Sequence, residues 1–118
     1  MDDNLLPSNY RLRNNYDFRN VYRKSHSFAT KYLVLYLKKN NTNQTRIGFS
    51  ISKKIGKATK RNYLKRQLRE IIRHNLDNIQ NGFDLIFVAR QKIIELEYHE
   101  LEKNIIYLLK KGRVYINE

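Results

Sequence analysis

Apolar and polar positions alternate along two stretches of the chain and then change period. In "KYLVLYLKK" (31–39), Leu33, Leu35 and Leu37 point one way and Tyr32, Val34, Tyr36 and Lys38 the other. In "RIGFSIS" (46–52), Ile47, Phe49 and Ile51 oppose Arg46, Gly48, Ser50 and Ser52. Both stretches predict strands, and the polar "NNTNQ" between them reads as a hairpin connection. "FDLIFVAR" (83–90) is apolar almost without interruption, which predicts a more central strand. "SHSFA" adds a short edge strand.

Helical spacing appears in three places. Asn14 or Asn15 can cap a first helix reaching about Lys24, with Asp17 in its first turn and Phe18, Val21 and Tyr22 on one side. From Lys57, the residues Leu64, Leu68, Ile71, Ile72 and Leu76 fall on one arc of a second helix. A last helix runs from about Glu97 to Lys111, with Leu101, Ile105, Leu108 and Leu109 at core spacing and Gly112 just past its end. The order is helix, three strands, helix, strand, helix. It predicts an α+β fold of two layers, with three helices and a mixed sheet of about four strands. With 118 residues and one Pro, the whole chain is expected to form a single domain, 1–118.

The second helix changes the picture. "KATKRNYLKRQLREIIR" (57–73) holds seven Lys or Arg and one carboxylate. Asn62, Lys65, Arg66, Arg69 and Arg73 form a stripe directly beside the apolar arc, while Tyr63, Gln67, Glu70 and His74 occupy the remaining side. A solvated face normally mixes signs and gains pairs four residues apart; this stripe accepts like-charge repulsion of a few tenths of a kcal/mol per pair. Lys60 and Arg61 lie against the positive end of the helix dipole and add to that cost. The placement makes sense where phosphates sit at the helix start, because N–H groups, dipole and side chains then act together. Lys53 and Lys54 precede it at the end of a strand, followed by Gly56 for a turn.

Charge elsewhere sharpens this. The formal net charge is +13, enough to attract polyanions over long range. Residues 4–94 carry 20 Lys or Arg against 4 Asp or Glu, whereas residues 95–118 carry 4 against 5. The last quarter of the chain is therefore outside the polyanion site. A membrane surface is a poor alternative, because the helix's apolar arc is needed by the core. The face of the sheet opposite that core carries Tyr36 beside Gly48, Ser50 and Ser52, room for something flat. With Phe18 and Tyr22 it suggests a groove in which bases stack on rings while Lys and Arg track a backbone. Each ring could equally be packing the first helix on the sheet.

Catalysis by the chain itself has no visible basis. Asp17, Glu70, Asp77 and Asp84 are spread over different elements, and His26, His74 and His99 read as surface residues without metal-site spacing. The absence of cysteine excludes disulfides, thiolate zinc sites and a Cys nucleophile. "MDDNLLPSNY" is acidic and polar where a signal peptide is basic then apolar, and the chain is expected in the cytoplasm.

The element order together with "DFRNVY", "LVLY", "RIGFSISKKIGKATKRNYLKRQLREIIR" and "DLIFVAR" resembles the bacterial ribonuclease P protein subunit over roughly residues 11–111. Ala58, Arg61, Asn62, Leu64, Lys65, Arg66, Leu68 and Arg69 all fall in register with it. The resemblance implies an accessory role in endonucleolytic removal of the 5′ leader of precursor tRNA. The hydrolysis is performed by the RNA subunit with Mg²⁺, and the protein holds no cofactor or catalytic residue of its own. The expected partners are that RNA and precursor tRNA, with no DNA and no membrane. By position, Lys57, Lys60, Arg61, Asn62, Lys65, Arg66, Arg69 and Arg73 would face the catalytic RNA. Phe18, Tyr22, Tyr36, Ser52, Lys53, Lys54 and Arg90 would hold the leader. The family fold also implies a left-handed βαβ crossover, against the general handedness rule. Two positions depart from the family: Tyr63 stands where a basic residue is usual, and Ser25 where Gly is frequent. The alternatives are a ribosomal or other structural RNA-binding protein of similar fold, and a nuclease acting alone.

Overall fold

A computed structural model describes residues 6–116. Its regular elements are α1 (Asn15–Arg23), β1 (His26–Ala29), β2 (Leu33–Lys39), β3 (Arg46–Ser50), α2 (Ala58–Asn75), β4 (Phe83–Ala89) and α3 (Tyr98–Lys111). Asn14 caps α1, its side-chain oxygen accepting from the Asp17 amide at 2.9 Å. The helix ends at Lys24 with φ −136°, and Ser25 is not left-handed, so that turn makes no demand for glycine.

The sheet order is β1-β2-β4-β3, with β3 parallel to β4 and the other pairs antiparallel. The hairpin expected between β2 and β3 is therefore not formed: β4 lies between them. β4 needs cover on both faces, since Leu85, Ile86 and Phe87 are all fully buried, and only an interior position provides it. The "NNTNQ" segment instead spans the end of β4 and is tied to it. Asn40 N–H donates to the Gly82 carbonyl at 2.9 Å, and Asn40 Nδ2 donates to Asp84 Oδ1 at 2.9 Å. Buried Thr45 donates to the Gln80 carbonyl at 2.7 Å and accepts from the Phe83 amide at 3.2 Å.

The handedness of β3-α2-β4 follows from one hydrogen bond. Viewed from the α2 side with β3 running upward, L-chirality puts the carbonyl of a residue facing the viewer on the right. Ile47 faces α2 in the main core, and its carbonyl accepts from Leu12 N–H at 2.9 Å. The segment before α1 thus lies to the right and β4 to the left, which makes the crossover left-handed, as the resemblance implied. The same segment covers the outer edge of β3, through a parallel bridge between Arg11 and Ile47.

α2 and α3 pack on one face of the sheet. Leu64, Leu68, Ile71 and Ile72 of α2 and Leu101, Ile105, Leu108 and Leu109 of α3 meet Leu33, Leu35, Leu37, Ile47, Leu85 and Phe87. Each fully buried aliphatic side chain stabilises by about 1.5–3 kcal/mol. Asn75 fastens the helix ends, donating to the Ile71 carbonyl at 2.7 Å and to Glu102 Oε2 at 3.0 Å, and accepting from the Tyr115 hydroxyl at 3.3 Å. α1 lies on the opposite face, where Leu12, Val21 and Ile86 form a second buried cluster. At the end of α3, Gly112 has an ordinary φ of −78° and Arg113 takes the left-handed turn at φ 62°. Arg113 and Val114 amides return to the Lys110 and Leu109 carbonyls, closing a Schellman motif. Gly112 is needed for closeness: a Cβ there would stand 2.9 Å from Leu37 Cδ2.

Candidate nucleic-acid interface

The start of α2 is bare of its own caps. Lys57 occupies the N-cap without a side-chain hydrogen bond, and no acid stands in the first turn. Gly56, at φ 153°, delivers the chain to it, and Arg61 Nε donates back to the Gly56 carbonyl at 3.0 Å. Orphan amides, the dipole and the exposed Lys57 and Lys60 thus share one corner. Behind them runs the stripe: Asn62, Arg66 and Arg73 are exposed, Lys65 and Arg69 half-buried. Lys65 and Arg69 turn toward β3 and line a hollow of about 300 Å³ with Arg11, Arg13 and Phe18. Four cations and no carboxylate surround it.

The second face of the sheet is ordered in rows by the strand register. Lys38, Asp84 and Arg46 form the first row, Ser27, Tyr36, Ile86 and Gly48 the second, and Ala29, Val34, Val88 and Ser50 the third. α1 covers the first two. Arg46 joins Asp84 at 2.9 and 3.1 Å and approaches Asp17 of α1 at 3.6 Å, while Lys38 Nζ donates to the Asn20 carbonyl at 3.2 Å. Hydrogen bonding to Asp84 raises the Arg46 pKa further above its already high value. The room left by Gly48 is taken by the chain's own Phe18: a Cβ at Gly48 would stand 2.5 Å from the Phe18 ring. Tyr22 meets Tyr36 edge-on at 4.9 Å, and its phenol is held above its usual pKa by burial, partly offset by a hydrogen bond with Ser50.

The third row, half-buried or exposed, is an open trough of the sheet beside Tyr22 and Tyr36. Its end carries positive charge, because β3 and β4 are parallel and finish together. Ser52 caps a single 3-10 turn at Lys53–Ile55 by accepting from the Lys54 amide at 3.3 Å, leaving Lys53 and Lys54 exposed. Arg90 leaves β4 at the same edge and donates to the Thr30 carbonyl at 3.0 Å. Stripe and trough therefore lie on opposite faces of the sheet and meet around residues 52–57.

A family model described as Ribonuclease P matches residues 6–113. The chain belongs to the ribonuclease P protein family. A ribonuclease P protein component from Natranaerobius thermophilus is 46% identical over 103 residues, covering 87% of this chain and 90% of the relative. The RNase P protein of Staphylococcus aureus superposes with a TM-score of 0.84 at 34% identity, over 90% of this chain and 97% of that one. The RNase P protein from Thermotoga maritima gives 0.80 at 35% identity, over 86% and 96%.

Within this ribonuclease P fold, four residues of the interface escaped the sequence reading. Arg11 and Arg13 precede α1 in no periodic element, and only "RLR" with its alternating charge marked them. Lys38 and Arg46 lie on the sheet face opposite the main core, where the sequence reading gave them no role, and they anchor α1. Asp17 and Asp84, distant in sequence, converge on Arg46. Among the described residues, no group of three or more His, Asp or Glu comes together to hold a metal ion, and no helix is long and apolar enough to cross a membrane.

Proposed function

We propose that this ribonuclease P protein component holds the catalytic RNA along α2 and the 5′ leader of precursor tRNA in the trough, in the cytoplasm. The observation that carries the reading is the meeting of stripe and trough at residues 52–57, which lets one small protein touch two RNA strands at once. Lys57 and Lys60 at the helix start, with Asn62, Arg66 and Arg73 along the stripe, are exposed and placed for phosphates of a folded RNA. Lys65 and Arg69 face the hollow beside Arg11 and Arg13, which suits a phosphate drawn inward. Tyr22 and Tyr36 offer ring surface to leader bases, and Lys53, Lys54 and Arg90 offer charge to the strand's backbone. Phe18 supports this wall from beneath. The hydrolysis is assigned to the RNA subunit and its Mg²⁺. A protein of net charge +13 lets two polyanions approach with less Mg²⁺.

The test is precursor tRNA cleavage at low Mg²⁺ with RNA subunit alone, protein alone, and both. Cleavage should appear only with both; cleavage by RNA-free protein would overturn the assignment. Replacing Tyr22 or Tyr36 by Ala should cost about 1–3 kcal/mol of precursor affinity, with little change in salt dependence. Mature tRNA, which has no leader, should bind the holoenzyme as before. Equal losses for both RNAs would remove the leader from the trough.

A further inference from the structure

The flank of α2 turned away from the stripe has a different chemistry. Lys60, Tyr63 and Gln67 follow one another there at helical spacing. With Ile55, Ile94 and Leu96 they line a hollow of about 360 Å³, a small-ligand size. Two large apolar side chains remain strongly exposed within it, Tyr63 at 61% and Ile94 at 55%. Among the described residues lining it, Lys60 is the one cation. The one carboxylate, Glu97, is already engaged, accepting from the backbone of α3's first turn in a capping box.

The occupant must suit an exposed ring and an apolar wall while entering the field of Lys53, Lys54, Lys57, Lys60 and Arg61. A neutral apolar peptide gains nothing from that field, whereas a nucleotide gains from both halves of the site. We propose that the hollow receives an unpaired nucleobase of the RNA held by α2, stacked on Tyr63 with an adjoining phosphate at Lys60. This rests on the reading that α2 holds RNA. α2 is then a ridge between unlike flanks, with phosphates against the stripe and a base on the other side. A paired base cannot enter such a hollow, so the docked segment is a loop, bulge or strand end.

The test uses the full-length protein and the RNA subunit, with Tyr63→Ala, Tyr63→Phe and Arg66→Ala compared. Tyr63→Ala should weaken binding about 5- to 150-fold, the equivalent of one lost base stack, and leave the salt dependence unchanged. It should also expose an unpaired base to methylation by dimethyl sulfate that the wild-type protein shields. Tyr63→Phe keeps the ring and should retain affinity and shielding. If Tyr63→Ala changes neither affinity nor base reactivity while Arg66→Ala still weakens binding, the hollow faces solvent or a protein partner and the proposal falls alone. If Tyr63→Phe is as defective as Tyr63→Ala, the ring is not what binds and the proposal also falls. If neither Arg66→Ala nor Tyr63→Ala affects binding, the reading of α2 as the RNA-holding helix falls with it.

Discussion

α2 and α3 lie on the same face of the same sheet, each burying four Leu or Ile side chains, and their ends are treated in opposite ways. α3 begins with a reciprocal capping box between Glu97 and Glu100, and finishes with Lys110, Lys111 and a Schellman turn. Acids at the start and bases at the finish both complement the dipole. α2 begins with an uncapped Lys57, no acid in the first turn, and Lys60 and Arg61 directly behind it. A chain able to cap one helix so fully leaves the other bare. Burial accounts for why both helices dock; the external anion proposed above accounts for the start of α2.

The difference can be broken most severely by removing cations from each helix in turn. Arg66→Ala with Arg69→Ala should lower affinity for the RNA subunit by more than about 100-fold, since charged hydrogen bonds contribute roughly 1.5–3 kcal/mol each. Their loss should flatten the salt dependence by about one unit per phosphate contact. Lys110→Ala with Lys111→Ala should change RNA affinity less than about threefold. A filter-binding titration across salt concentrations checks both pairs.

A smaller effect separates stability from binding. Glu100→Ala removes the reciprocal arm of the α3 capping box and should destabilise the fold by about 1 kcal/mol, measured by urea unfolding. RNA affinity well below the melting temperature should be unchanged. If Glu100→Ala weakened RNA binding as much as it weakened the fold, α3 would not be the structural partner in the pair.

The two helices were also unequally legible in the sequence. Periodicity located both, because apolar residues at spacings of three and four describe an arc wherever the helix packs. α3's charges agreed with its dipole, so its sequence pointed to structure alone; α2's charges disagreed, which marked it as the candidate interface. Strand pairing was less visible. Alternation shows which residues share a face, but β4's apolar run carries no mark of the two neighbours between which it inserts, so β2 and β3 read as a hairpin. Gly112 read as a cap and is the C-cap of α3, but it is needed there for its lack of a side chain, and the left-handed turn falls one residue later at Arg113. Gly48 read as open floor, though Phe18, thirty residues earlier, fills it. In each case the missing information was a contact between distant segments.

The most direct test of the bare helix start is Lys57→Asp. Aspartate at the N-cap accepts from a first-turn amide and neutralises the crowding of Lys60 and Arg61. The fold should gain about 0.5–2 kcal/mol and melt several degrees higher. The decisive measurement is the affinity of this more stable variant for the RNA subunit. Affinity should fall at least tenfold, because a carboxylate then sits where a phosphate should. A variant that melts higher and binds the RNA as tightly as the wild type would show that the start of α2 is not a phosphate site, and would contradict the account.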